Sequence, residues 1–235
     1  FLPKLFKKYE SKFNNFHVYR LECPFNYSYI NNQGVAYSNG EYIVLLNNDT
    51  EVISSDWLEN MLSYARQPHI GTVGAKLLFS DNTIQHAGII MGKGGIAGHT
   101  HYKQPRDYVC RQWELKIPYN VTASTAACLM IEKKKFQEVH GLNEDLAVAF
   151  NDVDFNLKIL GKGYSNIFLP YVELYHHESK SRGLDVAKEK QKRFNMEIQY
   201  MIRKWKDEIY HDQYYNQNFS LTYDYMLDPS QKVFK

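Results

Sequence analysis

Tyr42-Ile43-Val44-Leu45-Leu46-Asn47-Asn48-Asp49-Thr50-Glu51 is the stretch on which the fold turns. Five apolar residues in succession predict a strand buried on both faces, and five polar residues end it abruptly. In an open α/β sheet, ligands bind at the carboxyl ends of such strands. A carboxylate delivered there can hold Mg2+ or Mn2+ through one or two oxygens, leaving the other positions to phosphate and water. The same Asn-Asn-Asp-Thr is also ordinary turn chemistry, and spacing alone leaves both readings open.

Elements can be placed outward from this strand. Toward the N-terminus, Leu2 to Tyr9 predicts an amphipathic helix and Phe16 to Leu21 alternates like a strand. Tyr29 to Tyr37 predicts a short helix ending near Asn39-Gly40, where glycine suits a left-handed cap. Toward the C-terminus, Ser55 or Asp56 caps a helix through Ala65, and Pro68 forbids its extension. Gly71 to Leu78 returns as a strand, and residues 80 to 119 look loop-like, with five glycines between Gly88 and Gly98. Val121 to Ile131 predicts a strand, Glu132 to Glu138 a short helix, and Asn151 or Asp152 the cap of a helix stopping at Gly161 or Gly163. Ile167 to Leu169 predicts a short strand closed by Pro170. In a last helix, from about Asp185 to Ile209, Phe194, Ile198, Met201, Ile202, Trp205 and Ile209 form an apolar stripe. Strands alternating with helices imply an α/β domain with a mainly parallel sheet.

Composition bounds the rest. The 235 residues, 44% hydrophobic and 23% charged, exclude collagen-like, disordered and coiled-coil chains. A net charge of +2 gives no ground for nucleic acid as a partner. Three widely spaced cysteines, Cys23, Cys110 and Cys128, fit neither a disulfide framework nor a structural zinc site and point to a reducing compartment. Sequons at Asn26, Asn48, Asn120 and Asn218 matter only in a secreted chain. No apolar run approaches the ~20 residues that span a bilayer. The opening Phe1-Leu2-Pro3-Lys4 has neither an initiator Met nor a signal-peptide pattern, so the chain is expected to start inside a longer parent.

Three further constellations carry chemistry. Asn151-Asp152-Val153-Asp154, at a helix start, complements the helix dipole and equally suits a general base fixed on a rigid element. Tyr175-His176-His177-Glu178-Ser179-Lys180-Ser181-Arg182-Gly183 combines metal-competent imidazoles with a phosphate-competent guanidinium, or is a solvated loop. Gln85-His86-Ala87-Gly88 and Gly98-His99-Thr100 can line an acceptor pocket, with Tyr102, Tyr108, Trp113 and Tyr119 as stacking surfaces, although core packing explains most aromatics. From Lys180 to Lys206, nine Lys or Arg face three acids, which suits a solvated helix face or a membrane surface.

Taken in order, eight phrases resemble family 2 glycosyltransferases of the GT-A fold, most nearly bacterial rhamnosyltransferase-like members that build surface polysaccharides. They are Phe25-Asn26-Tyr27-Ser28, Gly40-Glu41-Tyr42, Leu46 to Glu51, Val73 to Leu78, Ile84 to Gly88, Ala127 to Met130, Asn151 to Asp154 and His176-His177-Glu178-Ser179. The resemblance spans about Phe25 to Arg182, and Tyr214-Tyr215-Asn216-Gln217-Asn218 also looks familial. It implies a GT-A-like, Rossmann-related α/β domain over residues 1–183, lacking the N-terminal nucleoside-binding part, with a helical tail over 184–235 packed on it.

The resemblance also implies roles. Asp49 and His177 would bind Mg2+ or Mn2+. Asn47, which stands where the family has the first acid of its DXD motif, would hold the donor diphosphate with His176 and Arg182. Asp152 would be the base of an inverting transfer, with Asn151 in place of the more usual Glu. Gln85, His86, His99, Trp113 and Asp154 would face the acceptor, and Ala126 stands where many relatives have Gly. The implied partners are a nucleotide-sugar donor and a glycan or lipid-linked acceptor, at the cytoplasmic face of a membrane. The missing part implies that this chain alone transfers no sugar, and that a bare sheet edge supports a homo-oligomer. The competing reading is a non-catalytic carbohydrate-binding or scaffold module of the same fold. A metal-dependent nucleotidyltransferase would need a phosphate-gripping loop that the glycines at 88 to 98 do not form.

Overall fold

The computed structural model describes residues 2–109, 114–177 and 188–228. In chain order they form α1 (Leu2–Lys12), α2 (Tyr27–Tyr37), β1 (Tyr42–Leu46), β2 (Thr50–Val52), α3 (Trp57–Ala65), β3 (Ile70–Leu78), β4 (Ile84–His86), β5 (Ile89–Met91), β6 (Ala97–His99), β7 (Tyr119–Asn120), β8 (Cys128–Glu132), α4 (Lys133–Glu138), α5 (Asn151–Gly161), β9 (Ser165–His176), α6 (Lys188–Lys204) and α7 (Lys206–Tyr210). The main sheet has the order β1-β8-β3-β9-β2, with β4 on β3 and β7 on β9, and β5 and β6 form a separate hairpin.

The α/β class stands, but the sheet is mixed rather than mainly parallel. Among the described residues only β3 and β9 pair in parallel, because β8 returns antiparallel between β1 and β3. All nine residues of β3 are buried, as a central strand requires. Helices cover both faces: Cys128 and Met130 of β8 pack with Met61 and Ala65 of α3, while Leu129 and Ile131 pack with Phe136 of α4 and Phe155 and Ile159 of α5. This alternation is the two-residue period of a strand covered on both sides. A third cluster joins Met91, Leu146, Val153 and Leu157 to Met201 of α6 and Ile209 of α7.

Five local expectations are corrected. Phe16 to Leu21 is not a strand, since no strand among the described residues lies beside it and it runs largely exposed, with Tyr19 stacked on Tyr37 at 4.1 Å. Among the described residues β1 pairs only with β8 and is half-buried at Tyr42 and Val44, with Leu46 exposed, so it is an edge strand there and not one buried on both faces. Residues 80 to 119 hold β4, β5 and β6 rather than loop alone. β9 runs through Pro170, because the register jumps from the Ala75–Leu169 pair to Lys76–Glu173 and the bulge removes the need for a proline N–H. The predicted last helix breaks at Trp205 into α6 and α7, and its start at Asp185 lies outside the described residues. No described helix is long and apolar enough to cross a membrane.

Candidate functional site

Two distant stretches meet because β2 pairs with the end of β9. Thr50 lies opposite His176 and Glu51 opposite Tyr175, and the His177 N–H continues the ladder to the Asp49 carbonyl at 2.8 Å. Asn47 is anchored at the end of β1 by its own N–H to the Ala127 carbonyl, 3.0 Å, and its carbonyl accepts from the Thr50 hydroxyl at 2.8 Å. The Asn47–Glu51 turn is thereby held against the carboxyl end of β9.

The two histidines expected there face opposite ways. Successive residues of a strand point to opposite faces, and only His176 turns toward Asp49, with Nε2 at 3.2 Å from Asp49 Oδ1 and 3.1 Å from Asn47 Nδ2. Its Nδ1 lies 2.6 Å from Gln85 Oε1, and Gln85 Nε2 donates to the His176 carbonyl at 3.3 Å. An amide oxygen only accepts, so Nδ1 carries a proton and Nε2 is the ring nitrogen that faces Asp49. A lone pair and a carboxylate oxygen attract only something positive between them, a proton or a cation. Bonds of ~2.1 Å at right angles set two ligand atoms ~3 Å apart, close to the separation seen, so these groups fit Mg2+ or Mn2+. His177 is turned away onto Glu51 Oε2, 3.1 Å, and the Ser80 hydroxyl, 2.8 Å. Among the described residues no group of three or more His, Cys, Asp or Glu converges as a metal cage.

Beside this pair opens a cavity of about 540 Å³ whose lining includes His176, Gln85, His99, Tyr102, Thr125 and Lys93. Gln85 and His99, expected at an acceptor site, line this cavity. His86 does not: it is fully buried, with Nε2 accepting the N–H groups of Gly88 (3.3 Å) and Thr125 (3.4 Å). Its proton therefore sits on Nδ1 and is donated to His99 Nδ1 at 2.7 Å, so His86 orients His99 from behind. Burial, then the nearby His99 and His176, hold the His86 imidazole well below its ordinary pKa, consistent with a neutral ring. Lys93, Thr125 and Leu221 escaped sequence reading; the glycines flanking Lys93 were the available hint. Tyr119 is structural, its hydroxyl donating to the Ala87 carbonyl at 2.8 Å. Trp113 and Arg182 lie outside the described residues.

The first turn of α5 separates its polar residues. The N-cap is Phe150, in the left-handed region at φ 60, rather than Asn151 or Asp152. Asn151 is buried and donates to the Val148 carbonyl at 3.1 Å. Asp152 is half-buried, its carboxylate accepting the N–H groups of Val153 (2.9 Å) and Ala126 (3.2 Å), the latter adjacent to the cavity-lining Thr125. Asp154 is wholly buried, 2.8 Å from both Lys204 Nζ and Trp205 Nε1, so it anchors the tail helices and does not face an acceptor.

Comparison with known proteins follows the same lines. Residues 2–134 match the family model described as Glycosyl transferase family 2. An uncharacterized protein of Sinorhizobium fredii is 49% identical over 208 residues, 87% of this chain and 23% of its own length. An O-antigen biosynthesis protein of Myxococcus xanthus is 35% identical over 71% of this chain and 13% of its own length. The N-acetylglucosaminyl-diphospho-decaprenol L-rhamnosyltransferase of Mycobacterium tuberculosis is 29% identical over 27% of this chain and 20% of its length. The chain thus spans under a quarter of the curated relatives it matches. Among solved structures, GalNAc-T7 with UDP, GalNAc and Mn2+ superposes with a TM-score of 0.67 at 15% identity, over 89% of this chain and 41% of that one. The fold is that of the GT-A glycosyltransferases.

Proposed function

Because the chain belongs to glycosyl transferase family 2, we propose that it serves transfer of a sugar, with inversion, from a nucleotide-diphosphate donor to a glycan or lipid-linked acceptor in surface polysaccharide synthesis. The observation that carries this reading is the Asp49–His176 pair at the carboxyl ends of β1 and β9, held by Gln85 and Asn47. Asp49 and His176 would hold Mg2+ or Mn2+, with Asn47 beside the donor diphosphate. When bound, the cation would supply charge stabilisation for the departing nucleoside diphosphate. Asp152 takes the proton of the acceptor hydroxyl as that oxygen attacks the anomeric carbon and the bond from that carbon to the donor phosphate oxygen breaks. Its two backbone hydrogen bonds keep the carboxylate fixed while leaving lone pairs for that proton. Gln85 and His99 orient the acceptor in the cavity. The exposed cations Lys188, Lys192 and Arg203 of α6 suit an acceptor presented at an anionic membrane face. Among the described residues no strand pairs with the outer edge of β1, which suits pairing with a second copy.

The test is a panel of UDP-, GDP- and dTDP-sugars with Mn2+ on the full natural chain that carries this sequence, reading release of nucleoside diphosphate. Metal-dependent release supports the proposal. Glycan binding indifferent to metal and nucleotide would support the non-catalytic module instead.

A further inference from the structure

The cavity beside His176 has a wall outside residues 2–134, the part of the chain that matches the family model. Leu221, on the segment after α7, lines the cavity together with Lys93 and His99. That segment is tied down at two carboxylates. Asp212 accepts the Met91 N–H of β5 at 2.8 Å and the Thr122 hydroxyl at 2.6 Å. Asp224 accepts the His101 N–H at 2.7 Å and pairs with Lys93 Nζ. Both partners of that ion pair are largely shielded, at 18% and 12% side-chain exposure, so solvent screens it little.

The segment also closes on itself. Ser220 N–H donates to the Met226 carbonyl and Asp228 N–H to the Asn218 carbonyl, each at 2.8 Å. The Tyr215 hydroxyl accepts from Tyr225 N–H at 2.9 Å and donates to the Ser220 carbonyl at 2.7 Å. The Tyr225 ring lies flat on His101, centroids 5.2 Å apart. Gly92, at φ +80, admits the tail closely: a Cβ there would stand 2.6 Å from the Ile209 carbonyl oxygen and 3.3 Å from Leu221 Cδ1. This is a wall fixed before any ligand arrives, which lowers the ordering cost of binding.

We propose that residues 212–228 form the acceptor-selecting wall of the cavity and that Leu221 determines which sugar ring it admits. This rests on the reading of the cavity as the acceptor site. A pyranose has a rim of hydroxyls and an apolar C–H face. The cavity offers Leu221 and Tyr102 to the face, and Gln85, His99 and Thr125 to the rim. Small changes of shape in such an apolar contact discriminate ligands by about 10- to 200-fold.

The experiment measures binding of a panel of p-nitrophenyl pyranosides by saturation-transfer NMR to wild type, Leu221→Trp, Leu221→Ala and Asp224→Asn. Mn2+–nucleotide affinity and the thermal midpoint are measured alongside. Leu221→Trp should weaken the glycosides that wild type prefers by about 10-fold or more. Leu221→Ala should shift the ranking toward bulkier rings, and Asp224→Asn should weaken all of them without re-ranking, with Mn2+–nucleotide affinity unchanged. If Leu221→Trp does not fold, Leu221→Phe takes its place. A wild type that binds no glycoside, or Leu221 variants that keep its ranking and affinities, would overturn the proposal. Re-ranking without Mn2+-dependent nucleotide binding would uphold the wall and sink the transferase reading.

Discussion

Asp152 and Asp154 sit on one turn of α5, yet they belong to different parts of the molecule. Asp152 is half-buried and accepts the backbone N–H groups of Val153 and of Ala126, the neighbour of the cavity-lining Thr125. Asp154 has no exposed surface and bonds Lys204 and Trp205 at the α6–α7 junction, with Lys158 3.7 Å from its other oxygen. Two carboxylates two residues apart point about 160° apart on a helix cylinder, and one meets the Ala126 backbone while the other meets the tail. Spacing in the sequence therefore does not assign a role to an acid; what lies over each face does.

The contrast can be broken most forcefully at Asp154. Asp154→Ala should cost about 3 kcal/mol in urea unfolding, the low end for a broken buried pair because Lys204 keeps 36% of its side chain in water. If stability is unchanged, the seam is not held there. Asp152→Asn should do the opposite, lowering turnover of the proposed reaction by at least ~10²-fold while donor affinity is kept. Full activity in that variant would move the base elsewhere.

Trp205→Phe sharpens the seam side, removing one hydrogen bond to Asp154 at a cost of about 1 kcal/mol in the same unfolding assay, with donor affinity unchanged. The smallest effect concerns pH. Burial pushes the Lys204 ammonium down, but its hydrogen bonds to Asp154 and Tyr200 outweigh burial and set it above 10.5. A raised lysine contributes its full stabilisation below the unfolded value and loses it as pH rises through the folded one. The stability difference between wild type and Lys204→Met should thus be flat below pH 10.5 and shrink above it. A difference that grows with alkali would mean that the ammonium is not held by Asp154.

The same contrast shows what the sequence could disclose. β1, β3, α3 and α5 were legible because an apolar run or a 3.6-residue stripe fixes an element locally. Phe16 to Leu21 misled because alternation states which face is apolar, not whether a partner strand is there. β9 was cut short at Pro170 because the bulge that accommodates it depends on the register with β3. In the site, Asp49 and the histidine pair were visible, but which histidine faces Asp49 is a parity set by the β2–β9 register. The ties of Asp154 to Lys204 and of Lys93 to Asp224 join residues 50 and 131 positions apart, and no local pattern announces them.

In the proposed donor site Asp49 and His176 act together on one cation, and His177 is turned away from it. Calorimetric titration of a nucleotide sugar, with Mn2+ and with EDTA, into wild type, Asp49→Ala, His176→Ala and His177→Ala tests this directly. Binding should require Mn2+ in wild type, vanish in Asp49→Ala and His176→Ala, and persist in His177→Ala. Equal affinity with and without metal, or loss in His177→Ala with retention in His176→Ala, would contradict it.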